Sequence, residues 1–245
     1  LSRNLLAEQI EVCHANNIRV PIYTTIRLDH FTAERYPEWL LVKPEDKPEP
    51  DPIGFYRCLC INSPYRDFLK THVKEILETL PTDGIFFDIV HTVNCVCKYC
   101  KAGMQAEGMD PEDEEAQSRY ATQVLEDFKR DITSVVQQFN EDCTVFYNAG
   151  HVGPKIRDTL DSYTHLELES LPSGGWGYMH FPMTMRYARN LGVDCLGMTG
   201  KFHTSWGDFH SFKNQPALEF ECLSMLALAG KCSVGDQLHP SGIIC

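Results

Sequence analysis

The stretch Gly84-Ile85-Phe86-Phe87-Asp88-Ile89-Val90 decides the fold. β-Branched and aromatic residues run almost unbroken behind the turn residues Pro81, Asp83 and Gly84, which reads as a buried strand with a carboxylate near its end. Working outward, residues 66–79 place Phe68, Val73, Ile76 and Leu77 on one helical face. Before them, Ile18–Ile26 reads as a second buried strand, and residues 3–16 space Leu5, Leu6, Ile10 and Cys13 as a helix. On the other side follow a long helix at 114–139, a strand at Thr144–Asn148, a short helix near 154–160 and a strand at Thr164–Glu169. Residues 181–191 and 215–229 read as helices, 194–199 and 231–235 as strands. The four prolines of Lys43–Pro52 mark a loop.

Strands alternating with helices predict a parallel sheet. An open doubly wound sheet would usually offer a Gly-rich phosphate loop after an early strand, and none occurs. Instead Asp29, Asp88, Asn148, Glu169, Lys201 and Asp236 end or closely follow strand runs, where a barrel carries its site. In Thr164–Glu169 the alternation turns Leu166 and Leu168 toward outer helices and His165, Glu167 and Glu169 inward. The expected fold is therefore α/β: a parallel (β/α)8 TIM barrel with about six of its eight β/α units present. Residues 1–245 are expected to form a single domain. Both ends look cut: the chain starts Leu-Ser-Arg-Asn without an initiator Met or signal-peptide pattern, and stops at Gly-Ile-Ile-Cys just beyond a strand-like segment.

A net charge of −12, with acids spread along the chain, argues against a nucleic-acid partner, which calls for a basic footprint. The absence of any apolar run of 18 residues argues against a helical membrane span. A neutral sugar suits this balance. Of the eleven cysteines, Cys13, Cys143, Cys195, Cys222 and Cys232 sit in or beside apolar stretches. They read as buried thiols of a cytoplasmic protein. Cys95, Cys97 and Cys100 cluster and need another explanation.

Several runs resemble the family called hypothetical glycosyl hydrolase 6, related to the α-L-fucosidases of glycoside hydrolase families 29 and 151. They are Ile-Tyr-Thr-Thr at 22–25, Cys-Ile-Asn-Ser-Pro-Tyr at 60–65, Gly-Ile-Phe-Phe-Asp-Ile-Val at 84–90 and Phe-Tyr-Asn-Ala-Gly-His at 146–151. Further on come Thr-His-Leu-Glu-Leu-Glu-Ser at 164–170, Thr-Gly-Lys-Phe-His-Thr-Ser-Trp-Gly-Asp-Phe at 199–209 and Ser-Val-Gly-Asp-Gln-Leu-His-Pro at 233–240. The resemblance implies a retaining exo-glycosidase, with the barrel beginning before Leu1 and the whole forming one catalytic domain. Its partner would be an oligosaccharide or glycoside, and the resemblance leaves room for a homo-oligomer, since relatives often associate through regions outside this segment.

Glycoside hydrolysis calls for two carboxyl groups flanking the scissile bond. Asp88 is the nucleophile candidate, at the strand end where resembling fucosidases place an Asp. The alternative is a cap on a loop or helix. Glu169, at the rim of its strand, is the acid/base candidate. Glu167, one layer deeper, would bind a sugar hydroxyl, and both acids could instead form ion pairs with His165 or Lys201. Asp236 is a further candidate for holding substrate. Sugar sites combine aromatic platforms with hydrogen-bonding groups, which singles out Trp176, Tyr178, His180, Lys201, His203 and Trp206, with Asn148 and His151 after the preceding strand.

Cys60-Ile-Asn-Ser-Pro-Tyr resembles the segment carrying the first zinc cysteine of family 42 β-galactosidases, in which three cysteines at the spacing of Cys95, Cys97 and Cys100 follow the fourth strand. That resemblance implies a structural zinc on Cys60, Cys95, Cys97 and Cys100, with no cofactor for catalysis; unmetallated packed thiols are the alternative. Other readings of the whole chain are a non-catalytic carbohydrate-binding barrel, a β-galactosidase-like glycosidase and a metal-dependent hydrolase.

Overall fold

The structure, a computed structural model, describes residues 3–44, 57–206, 208, 211–237, 239 and 241. Of the predicted loop Lys43–Pro52 only Lys43 and Pro44 fall among them, and the terminal Gly-Ile-Ile-Cys lies outside. All six expected strands form: β1 Pro21–Thr25, β2 Gly84–Asp88, β3 Thr144–Tyr147, β4 His165–Glu169, β5 Asp194–Gly200 and β6 Lys231–Gly235. The helices are α1 Leu5–Ala15, α2 His30–Arg35, α3 Tyr65–Thr79, α4 Lys98–Ala106, α5 Glu114–Phe139, α6 His180–Ala188 and α7 Gln215–Ala227. The chain falls into two compact units, one of residues 1–149 with 161–163, the other of residues 150–160 with 164–245.

The first unit holds an all-parallel sheet in the order β1-β2-β3. Its register aligns Ile22, Ile85 and Val145 in one row and Thr24, Phe87 and Tyr147 in the next. Phe87 stacks on Tyr147 at 5.0 Å between ring centres, and the Tyr147 hydroxyl meets Thr133 Oγ1 and donates to the Lys129 carbonyl on α5. This face is therefore the helix-covered one. Helix α5 starts where the Asp113 carboxylate accepts from the Ala116 N–H at 3.0 Å, with Glu114 and Glu115 in the first turn. It buries Tyr120, Val124, Phe128, Ile132 and Val136, every fourth residue, and packs against α3. On the opposite sheet face Tyr23, Phe86 and Phe146 form a row of rings, 5.7 and 5.3 Å apart, and Asp88 projects from that same face.

The second unit holds β4-β5-β6, also parallel. The alternation read in Thr164–Glu169 holds: Leu166 and Leu168 are buried, while His165, Glu167 and Glu169 are half-exposed on the other face. Helices α6 and α7 press on β5 at Gly197, where a Cβ would lie 2.5 Å from Met225 Cγ and 2.6 Å from Phe181 Cε2. Only glycine admits both side chains at that point.

Several details differ from the sequence reading. Two short helices, α2 and α4, were not anticipated, because nine residues or fewer carry little periodicity. The stretch near 154–160 is a 3₁₀ helix, Pro154–Ser162, interrupted by non-helical Thr159. Of the five cysteines expected to be buried, Cys143 and Cys195 are, Cys13 and Cys222 are half-buried, and Cys232 is exposed on β6, an edge strand of its sheet. None of the described helices is long and apolar enough to cross a membrane.

Candidate functional site

Asp88 closes β2, and both of its carboxylate oxygens are held. Tyr23 Oη donates to Oδ2 at 2.5 Å and Asn148 Nδ2 to Oδ1 at 2.9 Å. Tyr23 lies in the flanking strand β1 and Asn148 directly follows the flanking strand β3, so the parallel register itself brings them to the acid. The next residue, Ile89, has φ of 59°, a conformation that costs a β-branched residue of order 1–3 kcal/mol. Beyond it the link to the neighbouring segment continues, with Val90 N–H donating to the Asn148 carbonyl at 2.8 Å. Asp88 does not cap any of the described helices. Another strand-end acid does: Asp29 accepts from the Thr32 N–H at 2.9 Å and starts α2. Sequence reasoning missed Tyr23, because only the β1–β2 register puts it on the face of Phe86 and Asp88.

In the second unit Glu169 closes β4 and accepts from Trp206 Nε1 at 2.8 Å. The indole lies against two glycines: a Cβ on Gly235 would come within 2.0 Å of its ring, and one on Gly200 within 2.9 Å. Gly200 and Gly235 are partners in the β5–β6 register, so a floor without side chains is built for Trp206. Glu167 pairs with His165 at 2.9 Å, the ion-pair alternative considered for it. Lys201 forms a salt bridge to Asp236, which holds the Asp236 carboxyl below its usual range, and passes over the Phe212 ring.

A second cluster follows β4. His180 Nδ1 meets Ser170 Oγ at 3.0 Å and His180 Nε2 meets His151 Nδ1 at 3.1 Å, with Trp176 edge-on to His180 at 4.7 Å. Burial, and next the neighbouring His151, hold the His180 imidazole below its usual range. Tyr178 turns from this group toward Phe220, and His203 is exposed. Ser170 was not singled out from sequence; its place directly after Glu169 was the available signal.

The four cysteines form one buried group. Their sulfurs all lie within 4.8 Å of one another, with Cys60 Sγ 3.5 Å from Cys100 and 3.7 Å from Cys95. Thiolates about 2.3 Å from a tetrahedral ion stand roughly 3.8 Å apart, so the set fits a metal ion. Outer contacts support it: Asn62 N–H points at Cys60 Sγ, and Asn62 Nδ2 reaches Cys100 Sγ and Tyr120 Oη. Helix α4 begins directly after Cys97 and carries Cys100 in its first turn.

These two parallel α/β units, with acids at the ends of β2 and β4, have the elements of a glycoside hydrolase fold. Residues 1–89 match the family model described as hypothetical glycosyl hydrolase 6. Across 99% of its length the chain is similar to the solved α-L-fucosidase isoenzyme 2 from Paenibacillus thiaminolyticus, at 39% identity and a TM-score of 0.92, and covers 37% of that protein. The PgaB (BpsB) glycoside hydrolase domain from Bordetella bronchiseptica shares the fold at 12% identity and a TM-score of 0.70, with 96% of this chain and 76% of that one covered. So does a catalytic mutant of Gan42B, a GH42 β-galactosidase from G. stearothermophilus, at 12% identity and a TM-score of 0.74, with 94% and 42% covered. A comparison with curated proteins gives no match.

Proposed function

We propose that this chain carries the catalytic face of a retaining exo-glycosidase of the α-L-fucosidase type, built on a TIM barrel. The supporting observation is Asp88 itself, a strand-end carboxylate gripped by two donors and followed by a strained residue. The 39% identity to a protein described as an α-L-fucosidase supports the sugar class. In this reading an Asp88 oxygen attacks the anomeric carbon as the glycosidic C–O bond breaks, and Glu169 gives its proton to the departing oxygen. Glu169 then takes a proton from water, which attacks the same carbon and frees Asp88. Tyr23 and Asn148 would keep Asp88 aimed, since both donate to it. Trp206, beside Glu169, would offer the sugar an apolar ring face, with Lys201, His203, Asp236, Trp176, His151 and Glu167 reading hydroxyls.

Zinc on Cys60, Cys95, Cys97 and Cys100 fits this reading as a structural ion, since four sulfur ligands leave no open position for chemistry. No disulfide joins any two of the ten described cysteines, which supports a cytoplasmic setting. The deciding experiment is turnover of aryl α-L-fucosides and β-galactosides by the complete protein and by its Asp88→Asn and Glu169→Gln variants. Loss of at least about 10³-fold in kcat for Asp88→Asn is expected. Near-normal turnover by that variant removes Asp88 from the chemistry, and no turnover of any glycoside by the complete protein favours a carbohydrate-binding role.

A further inference from the structure

Arg27 follows β1 and sits where a cation is costly. It is 4% exposed, its Nε is buried without a hydrogen-bond partner, and Nη2 donates only to the His91 carbonyl at 3.2 Å. A guanidinium stays protonated in proteins, and a buried charge without a counter-ion is strongly destabilising. Among the described residues no carboxylate lies within ion-pair distance of it. Its polar neighbours are sulfur: Arg27 lines one small cavity of about 10 Å³ with Cys60, Cys95 and Cys100, and Tyr120 and apolar side chains such as Val93 and Val124 close the rest. Its backbone carbonyl accepts from Leu59 N–H at 2.9 Å, beside Cys60, while its side chain reaches the segment that leads to Cys95.

Four neutral thiols give Arg27 no counter-charge. Four thiolates around one divalent ion leave a net charge of about −2, which Arg27 would halve. We propose that Arg27 is the fixed counter-charge of the four-cysteine centre and the residue that sets how tightly this centre holds its metal. The inference rests on the metal reading above and goes beyond it, because it assigns the affinity to a residue that is not a ligand.

The test uses the full chain, freed of metal under reducing conditions and titrated with Co²⁺, then with Zn²⁺ against a chromophoric chelator. The wild type should develop the intense thiolate-to-cobalt charge-transfer absorption of a four-sulfur centre. Arg27→Gln should keep the band shape and bind roughly 10–100-fold more weakly, and Arg27→Lys should restore most of the affinity. A folded Arg27→Gln variant that binds as tightly as wild type overturns the inference and leaves the metal reading intact. Should Arg27→Gln not fold, Arg27→Lys decides: wild-type affinity supports the counter-charge, and a loss above roughly tenfold overturns it. A wild type that takes up neither Co²⁺ nor Zn²⁺ removes the metal reading and this inference together.

Discussion

Replacing Lys213 by Met should strongly destabilise the second unit. Lys213 Nζ lies 2.5 Å from Glu221 Oε2, and Thr199 Oγ1 sits between them, donating to Glu221 at 2.5 Å and accepting from Lys213 at 2.7 Å. The two charged side chains are 2% and 4% exposed, so neither can turn to solvent. They join α7 and the segment before it to β5. Removing the ammonium leaves a buried carboxylate with no counter-charge, held by the Thr199 hydroxyl at Oε2 and near the Tyr178 hydroxyl. Such a break costs about 3–5 kcal/mol, several times the worth of an exposed pair. The double change Lys213→Met with Glu221→Met removes both charges and should recover more than half of that loss, because the desolvation penalty disappears with the carboxylate. Urea unfolding followed by circular dichroism reads both variants. A Lys213→Met cost below about 1 kcal/mol, or a double variant less stable than the single one, would refute the reasoning.

Gly235→Ala should drive the Trp206 indole off its floor, because the new Cβ would stand 2.0 Å from the ring. With the 2.8 Å bond to Glu169 lost, glycosidase kcat/KM is expected to fall roughly 10–100-fold, matched by Trp206→Phe; unchanged kinetics would remove Trp206 from the support of Glu169. Burial lowers the Lys129 ammonium to about 8, with Glu126 opposing, so the unfolded chain binds the extra proton between pH 8 and the ordinary lysine range. Stability should therefore rise across that window by roughly 1–3 kcal/mol and stay flat below it on this account, and Lys129→Met should abolish the rise; an identical slope in the variant excludes Lys129 as its source.

Much of this architecture was legible from one dimension. Strand position and type follow from local composition and length, since short runs such as Gly84–Asp88, rich in β-branched and aromatic residues and introduced by turn residues, read as strands. The period-two pattern of His165–Glu169 sorted buried leucines from polar side chains before any coordinates, because successive side chains on a strand alternate whatever surrounds them. The four cysteines were read from spacing together with resemblance, and they do gather within 4.8 Å. Partners were a different matter. That Tyr23 and Asn148 grip Asp88 depends on which strands flank β2 and in what register, and those pairings join residues 65 and 60 positions apart. Gly235 as a floor for Trp206, Arg27 beside the sulfurs, and the Lys213–Glu221 pair likewise required packing to bring the groups together. A sequence states what each residue can offer locally; which residue meets it is set by long-range pairing, where burial turns weak surface preferences into interactions of several kcal/mol.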